Sequence, residues 1–419
     1  DRSHRAAPML VARPLSRIAP AAAPPPRLQT GGVAAALAAL LLLSPLQMIA
    51  PPALHTQPVQ ARELASGSGS KVNKDPLSLL RLGLPGQPKE VRDLQSALES
   101  CQDNLSRLLF SKASGDLSNA RGLISGKSAA ILKKVPAADV PEAEKLIASM
   151  ASGTEKLAQL ISGGRVSEET TEVQTAVLAD LSKLEGLIAA PTPPVTVPAE
   201  FNNLPQLKKR AVVEFVAKKG PDAESSSFNV DGNLFKTAVL RMQIDGYTAP
   251  VTAGNFVDLV NKGFYDGMRI QRSDGFVVQT GDPSKEGRGK DVGFVPPGAE
   301  KVRTVPLEVF VKNDKGPIYG STFDDDNRGG YAATLPFNAY GALGMAREEY
   351  DSDSGSSQFF WLLFDSDLTP AGKNLLDGRY SCFGYTIEGA RFLSDLKEGD
   401  IIQSAKVVQG LDNLVPPKE

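Results

Sequence analysis

The spacing of apolar residues changes once along the chain, close to residue 190. Before that point apolar positions recur every three or four residues, the period of an amphipathic helix, and after it they alternate as in a strand. Four helices are predicted, over residues 89–112, 117–135, 141–161 and 167–190. Their similar lengths and short connections containing Gly, Pro and Ser predict an all-α antiparallel bundle over residues 71–190.

The first of these helices carries the most regular apolar pattern of the four. Its apolar residues follow the a/d spacing of a helix that packs against a partner: Val91, Leu94, Leu98, Cys101, Leu105 and Leu108. Because Cys101 lies on this seam, we expect a buried structural thiol rather than a reactive one. No polar cluster in the bundle indicates catalysis, so we expect it to pack and to provide a docking surface.

A proline-rich segment separates the two patterns, with four prolines in residues 191–198. Proline interrupts helices and favours extended, stiff chain, so residues 191–199 are predicted to be a linker. Beyond it, strand-like runs separated by glycine-rich turns cover residues 211–216, 237–244, 275–279, 358–364, 380–385 and 401–408. With amphipathic stretches at residues 250–261 and 389–396, they predict a multidomain chain whose residues 200–419 form an antiparallel β-barrel capped by two helices.

The first 62 residues differ in composition from the rest of the chain. They contain six arginines, no lysine and one acid, and residues 33–43 form an uninterrupted apolar run. This order is typical of a chloroplast transit peptide followed by a cleaved signal for the thylakoid lumen. We therefore expect residues 1–61 to be removed, with cleavage near Ala61 or Ala65. A bacterial-type secretory signal or a membrane anchor is the alternative.

Charge and scarce residue types exclude several classes of function. The 46 basic and 48 acidic residues leave a net charge of −2, which argues against a nucleic-acid partner. Both histidines, His4 and His55, lie in the expected leader, which excludes histidine-dependent triads and zinc sites from the mature chain. The acidic loops at residues 324–327 and 351–353 lack the ligand spacing of a calcium loop. No metal or cofactor is expected, and Cys101 and Cys382 are expected to be free, buried thiols.

Five segments after the linker resemble motifs of the cyclophilins and occur in that family's order. They are VTAGNFVDLVNKGFYDG at residues 251–267, IQRSDGFVVQTGD at 270–282, ALGMA at 342–346, GSSQFF at 355–360 and LDGRYSCFG at 376–384. The whole arrangement of leader, helical domain, linker and C-terminal domain is similar to the multidomain thylakoid-lumen cyclophilins of plants and algae. The resemblance therefore covers nearly the entire chain.

The resemblance implies peptidyl-prolyl cis-trans isomerase activity. Rotation about an Xaa-Pro bond is slow because it sacrifices amide resonance, at a barrier of about 20 kcal/mol. The family places a guanidinium donor at the twisted amide and an apolar wall against the proline ring, and it uses no cofactor. By position, the resemblance makes Arg272 the catalytic donor and assigns the following residues to substrate binding: Phe276, Val277, Gln279, Ala346, Phe360, Leu375, Leu376 and Tyr380. Without the resemblance, Arg272 would be read as a solvated surface charge and the apolar members as ordinary core.

The chain departs from the family pattern at several of these positions. Gln271 and Tyr380 replace histidines, Val277 replaces methionine, Leu375 replaces tryptophan and Arg347 replaces asparagine, and the loop after Arg272 is one residue shorter. A smaller wall and a missing indole weaken substrate holding by about 1–3 kcal/mol. We therefore expect weak or masked isomerase activity. Residues 283–337 are expected to be an insertion that shapes the rim of the pocket or is simply variable loop.

The resemblance also implies partners and a setting. Expected partners are proline-containing polypeptides, with photosystem II subunits as the implied clients, and peripheral membrane association is compatible with the sequence. The short linker permits an intramolecular contact in which the bundle covers the pocket. The alternative function is an inactive binding chaperone that grips Xaa-Pro loops and docks partners through the bundle.

Overall fold

The computed structural model describes residues 72–288, 290–364 and 374–417. The expected leader, residues 1–61, lies outside the described residues. The N-terminal part is helical and comprises α1 (Pro76–Gly83), α2 (Lys89–Ser106), α3 (Phe110–Leu132), α4 (Val140–Ile161) and α5 (Glu168–Ala189). The four long helices were predicted from the apolar period, whereas the eight-residue α1 was not.

The junction of α2 and α3 differs from the prediction. Helix α2 ends at Ser106 because Leu108 takes a left-handed backbone conformation, φ 58°, and Leu109 donates its N–H back to the Asn104 carbonyl at 2.8 Å. Helix α3 therefore begins at Phe110, seven residues before the predicted start. The assignment of Leu108 to the buried seam was wrong, since its side chain is 63% exposed.

The remaining seam residues of α2 are buried in the bundle, as predicted. Cys101 is buried with Leu105 against residues of α3 and α4, and burial raises the pKa of its thiol to about 11. Both Cys101 and Cys382 are free and buried, which confirms that expectation. Helix α5 begins with a reciprocal capping box in which Ser167 and Thr170 each accept the other's backbone N–H at 3.1 Å.

The C-terminal part is built on antiparallel strands and one further α-helix, α6 (Pro250–Asn261). The strands are β1 (Gln206–Leu207), β2 (Arg210–Lys218), β3 (Phe228–Val230), β4 (Asn233–Phe235), β5 (Thr237–Asp245), β6 (Arg272–Ser273), β7 (Val277–Thr280), β8 (Glu308–Val309), β9 (Ile318–Tyr319), β10 (Ala342–Met345), β11 (Phe359–Leu362), β12 (Cys382–Glu388), β13 (Ile401–Gln409) and β14 (Leu414–Val415). Eight of them form one sheet in the order β13-β2-β5-β12-β10-β11-β7-β6.

This sheet curls until its two edges meet, which gives the predicted barrel. Arg269, just before β6, bridges to Ile401 of β13, and the neighbouring Ile270 N–H donates to the Asp400 carbonyl at 2.7 Å. Large aromatic side chains fill the interior: Phe215, Phe256, Tyr265, Phe359, Trp361 and Phe383. Helix α6 contributes Phe256 to this core, as a capping helix should. The second predicted cap is present as a 3₁₀ helix over residues 390–395, between β12 and β13.

Helix α1 joins the bundle to the barrel. Its residues Leu79 and Leu80 are buried on the outer face of the barrel, in a cluster that includes Tyr385 of β12. Arg210 of β2 donates from Nη2 to the Leu80 carbonyl at 2.6 Å. The bundle and the barrel are therefore in contact through α1, while covering of the pocket by the bundle stays a prediction.

Candidate active site

The register of the sheet brings the candidate donor, anchor and wall residues into one row. Arg272 of β6 lies opposite Gln279 of β7, and Gln279 lies opposite Phe360 of β11. Directly opposed residues of antiparallel strands project from the same face, with Cβ atoms about 5 Å apart. The alternate residues of β7 and β11, Val278 and Phe359, point into the core instead. The row therefore lies on the outside of the barrel, where a polypeptide can reach it.

Phe360 is the most enclosed member of the row, at 6% exposed. Its ring lies over Gly344, which is opposite it on β10, and a Cβ at Gly344 would overlap the ring. Phe337 stacks on the ring with centroids 6.0 Å apart and planes at 19°, and Tyr380 meets it edge-on at 5.8 Å. The apolar wall expected to hold a proline ring is thus present at Phe360, but Phe337 and Tyr380 already pack against it.

Arg272 lies at the open end of the row, with its side chain 53% exposed. Its Nε donates to one oxygen of Asp274 at 2.7 Å, and its Nη2 forms an ion-pair contact with the same oxygen at 2.5 Å. The other oxygen of Asp274 accepts the backbone N–H groups of Phe276 and Val277, at 2.9 and 3.0 Å. Although burial opposes it, these N–H donors and the guanidinium hold the pKa of Asp274 below its usual value. The Arg272 guanidinium is therefore held by a carboxylate of the turn that follows it.

Gln279 is not free to anchor a peptide in this arrangement. Its Nε2 donates to Oε1 of Gln358 at 3.0 Å, and Gln358 in turn donates to the Val292 carbonyl at 2.8 Å. Gln271, which replaces the family histidine beside the candidate donor Arg272, makes two hydrogen bonds to the backbone of Asp282, at 2.7 and 2.9 Å. Both glutamine side chains brace the loops around the row.

The other predicted site residues divide between an open rim and a closed wall. On the rim, Phe276 is 39% and Leu375 is 72% exposed. In the wall, Val277 is 4% exposed, and it shares a hydrophobic cluster with Phe360, Leu376 and Tyr380. The backbone N–H of Ala346 already donates to the Gln358 carbonyl at 3.0 Å, so the available peptide anchor there is its carbonyl side.

The segment over residues 283–337 supplies side chains that the sequence analysis did not place in the site. Besides Phe337, it contributes Leu335 to the wall cluster, and Phe323 packs directly over Gly378 in the loop before Tyr380. The only sign of this contribution in the sequence is the presence of isolated large apolar residues within a loop-like stretch. Such residues lack the periodicity that would reveal where they pack.

The same segment braces the helix that caps the barrel. Glu308 of β8 is fully buried and accepts the backbone N–H groups of Val251 and Thr252, at 3.2 and 2.8 Å, in the first turn of α6. Burial raises the pKa of this carboxyl to about 7, although those two N–H donors act in the opposite direction. The segment is therefore an integral part of the domain rather than a variable loop.

Arg347, which replaces the family asparagine, also has a structural role at the rim. Its guanidinium lies over the Tyr380 ring at 5.1 Å, and it donates to the carbonyls of Arg379 and Glu348 at 3.0 and 2.8 Å. Because these contacts use its donors on the protein's own backbone, Arg347 steadies Tyr380 and the rim.

The acidic loop at residues 324–327 is ion-paired with neighbouring arginines. Asp324 accepts from Arg379 at 2.8 Å, and Asp326 pairs with Arg328 at 2.8 Å. Across residues 72–288, 290–364 and 374–417, no group of three or more Asp, Glu, Cys or His side chains could hold a metal ion. Within the same residues, no helix has both the length and the apolar character needed to cross a bilayer.

Comparison with known proteins assigns both parts of the chain. Residues 228–413 match the cyclophilin type peptidyl-prolyl cis-trans isomerases, and residues 75–188 match the PsbQ-like domain of CYP38-like peptidyl-prolyl cis-trans isomerases. A putative thylakoid lumen peptidyl-prolyl cis-trans isomerase of Synechocystis is 41% identical over 86% of this chain and 88% of its own length. The chloroplastic peptidyl-prolyl cis-trans isomerase CYP38 of Arabidopsis thaliana is 40% identical over 92% of this chain and 85% of its own length. The chain belongs to the family of cyclophilin-type peptidyl-prolyl cis-trans isomerases.

Proposed function

We propose that this chain is a prolyl isomerase and folding factor of low activity in which Arg272 is the catalytic donor. The observation that carries the proposal is the register that sets Arg272, Gln279 and Phe360 side by side on the outer face of the barrel. The row offers a cation beside an apolar wall, which are the two groups that isomerisation of an Xaa-Pro bond needs.

Isomerisation breaks no covalent bond, so the site has only to favour the twisted amide over the planar one. Twisting localises a lone pair on the prolyl nitrogen, and a guanidinium N–H placed there stabilises the twisted state more than the ground state. Asp274 binds Nε and Nη2 of Arg272, so both Nη1 hydrogens point away from that carboxylate. These hydrogens are the donors that we assign to the substrate amide.

Two features support low activity. Phe337 and Tyr380 pack against Phe360, so a proline ring must displace or share contacts that already exist. Val277 is also nearly inaccessible, at 4% exposed. Substrate binding therefore has to offset the loss of internal packing before it can lower the barrier.

Replacement of Arg272 tests the proposal. In the chain without its expected leader, residues 62–419, Arg272→Ala should abolish catalysis of Xaa-Pro isomerisation while leaving the fold intact. Arg241→Ala is the matched control, since Arg241 is an exposed, ion-paired arginine on β5, outside the row. Catalysis that survives Arg272→Ala would contradict the assignment of the donor.

The exposed rim favours a second candidate function, peptide binding without turnover. Phe276 and Leu375 offer accessible apolar surface next to Arg272, while the wall that would hold the ring is filled. Titration of proline-containing peptides into the same variants separates the two functions. A pure binder retains peptide affinity and shows no rate enhancement, and loss of affinity in Leu375→Ala would locate the binding at the rim.

The names of the relatives support a location in the thylakoid lumen of a chloroplast, and the composition of residues 1–61 supports their removal as a leader. We retain residues 71–190 as the bundle domain, 191–199 as the linker and 200–419 as the barrel domain. We also propose photosystem II subunits as clients. Crosslinking of the imported protein in intact thylakoids tests this, and recovery of only stromal partners would contradict it.

A further inference from the structure

We propose that Asp274 is a positioning residue that restrains Arg272 and thereby limits the rate of isomerisation. This inference rests on the proposed role of Arg272 as the catalytic donor. The carboxylate holds the Nε and Nη2 side of the guanidinium, so it limits how far the Nη1 hydrogens assigned to the substrate can move from the turn between β6 and β7.

The geometry of the turn makes the restraint effective. A guanidinium has five N–H donors. One oxygen of Asp274 accepts the Nε donor and also forms an ion-pair contact with Nη2. Its second oxygen is held by the N–H groups of Phe276 and Val277. Because both oxygens are engaged, the carboxylate cannot follow the guanidinium toward a substrate, and Arg272 must stretch or break this pair to move.

No neighbouring side chain of the row competes with Asp274 for the guanidinium. Gln279, directly opposite Arg272, is the nearest candidate, but its side chain bonds to Gln358 instead. The carboxylate also offsets the positive charge of the guanidinium at the place where an electron pair develops. The Asp274 carboxylate therefore restricts the movement of the Arg272 guanidinium and also reduces its electrostatic stabilisation of the twisted amide.

The restraint should be modest and sensitive to salt. The side chains of Arg272 and Asp274 are 53% and 40% exposed, and ion pairs in such positions are weak and screened by dissolved ions. Release of the guanidinium is therefore expected to raise kcat/KM by about two- to fivefold. Added salt should produce part of the same gain in the unmodified protein.

Asp274→Asn is the direct test, in residues 62–419. Its side-chain oxygen can still accept the N–H groups of Phe276 and Val277, so the turn is preserved while the anionic partner is lost. We expect higher kcat/KM at low ionic strength, and a rise with salt in the unmodified protein that is absent in the variant. Asp274→Ser, which retains a turn acceptor, should change in the same direction.

Glu214→Gln is the matched control, because Glu214 pairs with Arg241 at 2.8 Å on the outer face of the barrel and away from the row. It should change neither kcat/KM nor the salt response. Unchanged or reduced kcat/KM in both Asp274 variants overturns the restraint, and so does a salt response that persists in them. The absence of turnover before and after substitution also overturns it.

The single variants Arg272→Ala and Asp274→Asn, measured side by side, separate this inference from the proposed function. If Arg272→Ala removes turnover and Asp274→Asn leaves it unchanged, the donor assignment stands and the restraint fails. If Arg272→Ala retains turnover, the donor assignment itself fails, and the restraint fails with it.

Discussion

The two ends of the candidate site are built in opposite ways. At one end, the side chains of Arg272, Phe276 and Leu375 are open to solvent. At the other, Val277 and Phe360 belong to a buried cluster that also includes Leu80 of the bundle. The open end resembles a binding surface and the closed end resembles a domain core.

This difference shows how one row of residues serves two purposes. The closed end stabilises the contact between the bundle and the barrel, because α1 contributes Leu79 and Leu80 to the same cluster as the proline wall. The open end retains the chemistry, because the guanidinium remains accessible to a polypeptide. Substitutions at the two ends should therefore separate stability from activity.

The largest effect is expected at the closed end, from Leu80→Ala. Leu80 is 1% exposed, and removal of a buried leucine side chain lowers the free energy of unfolding by about 2–5 kcal/mol. Leu82→Ala is the control on the same helix, since Leu82 is 38% exposed. Urea unfolding measures both, and equal losses in the two variants would show that α1 is not docked through Leu80.

Gly344→Ala should destabilise the closed end by a smaller amount. The added methyl group would collide with the Phe360 ring, and overpacking of this kind costs about 1–3 kcal/mol. In Gly122→Ala, on helix α3, nothing lies near the added methyl group, and stability should be unchanged or up to ~1 kcal/mol higher. Thermal unfolding measures the stability of both variants. If Gly344→Ala left the stability unchanged, the Phe360 ring would be free to move away from the added methyl group.

The buried contact between α1 and the long helices should also respond to pH through Glu185. This side chain is completely buried on α5, and burial raises its pKa to about 8, against the opposing effect of Arg92 and Arg81. A carboxyl with a raised folded-state pKa takes up a proton on folding, so its contribution falls as pH rises from about 5 to about 8.

Glu185→Gln removes this titration. The free energy of unfolding of the unmodified protein should fall by ~1 kcal/mol or more relative to the variant across that interval. Urea unfolding at several pH values measures the difference. Parallel curves for the two proteins would contradict a protonated Glu185 in the folded state.

The smallest effect on stability is expected at the open end. Leu375 is 72% exposed, so Leu375→Ala should change the free energy of unfolding by no more than about 0.5 kcal/mol. Its effect should appear in KM, as a rise of a few-fold, because the contact that we propose for Leu375 is with the substrate. A stability loss similar to that of Leu80→Ala would remove the distinction between the two ends.

Much of the architecture could be predicted from the sequence, because it follows from local periodicity. The four long helices and six main strands repeat their apolar residues at the helix or strand period over many positions. Helix α1 was missed because it has only eight residues and is buried by its contact with β12, which no local pattern encodes. The amphipathic stretch at residues 389–396 was predicted as a capping helix, and the structure forms it as a 3₁₀ helix over residues 390–395, a distinction that the apolar spacing alone does not make.

The candidate site could be named from the sequence, but the contacts of its residues could not. Family motifs named Arg272, Phe360 and their neighbours as candidates, and the strand register places those two on one face. The packing of Phe337 on Phe360 joins residues from distant parts of the chain, so no motif contains it. The pairing of Arg272 with Asp274 depends on the conformation of a shortened turn, which residue types alone do not define.

The central claim is that Arg272 provides the chemistry and that internal packing at the wall limits it. Phe337→Leu tests both parts when it is measured alone and together with Arg272→Ala. Since the smaller side chain leaves the Phe360 ring without its stacking partner, kcat/KM for a proline-containing peptide should rise in Phe337→Leu and fall to the uncatalysed level in the double variant. Unchanged turnover in Phe337→Leu, or turnover that persists in the double variant, would contradict the account.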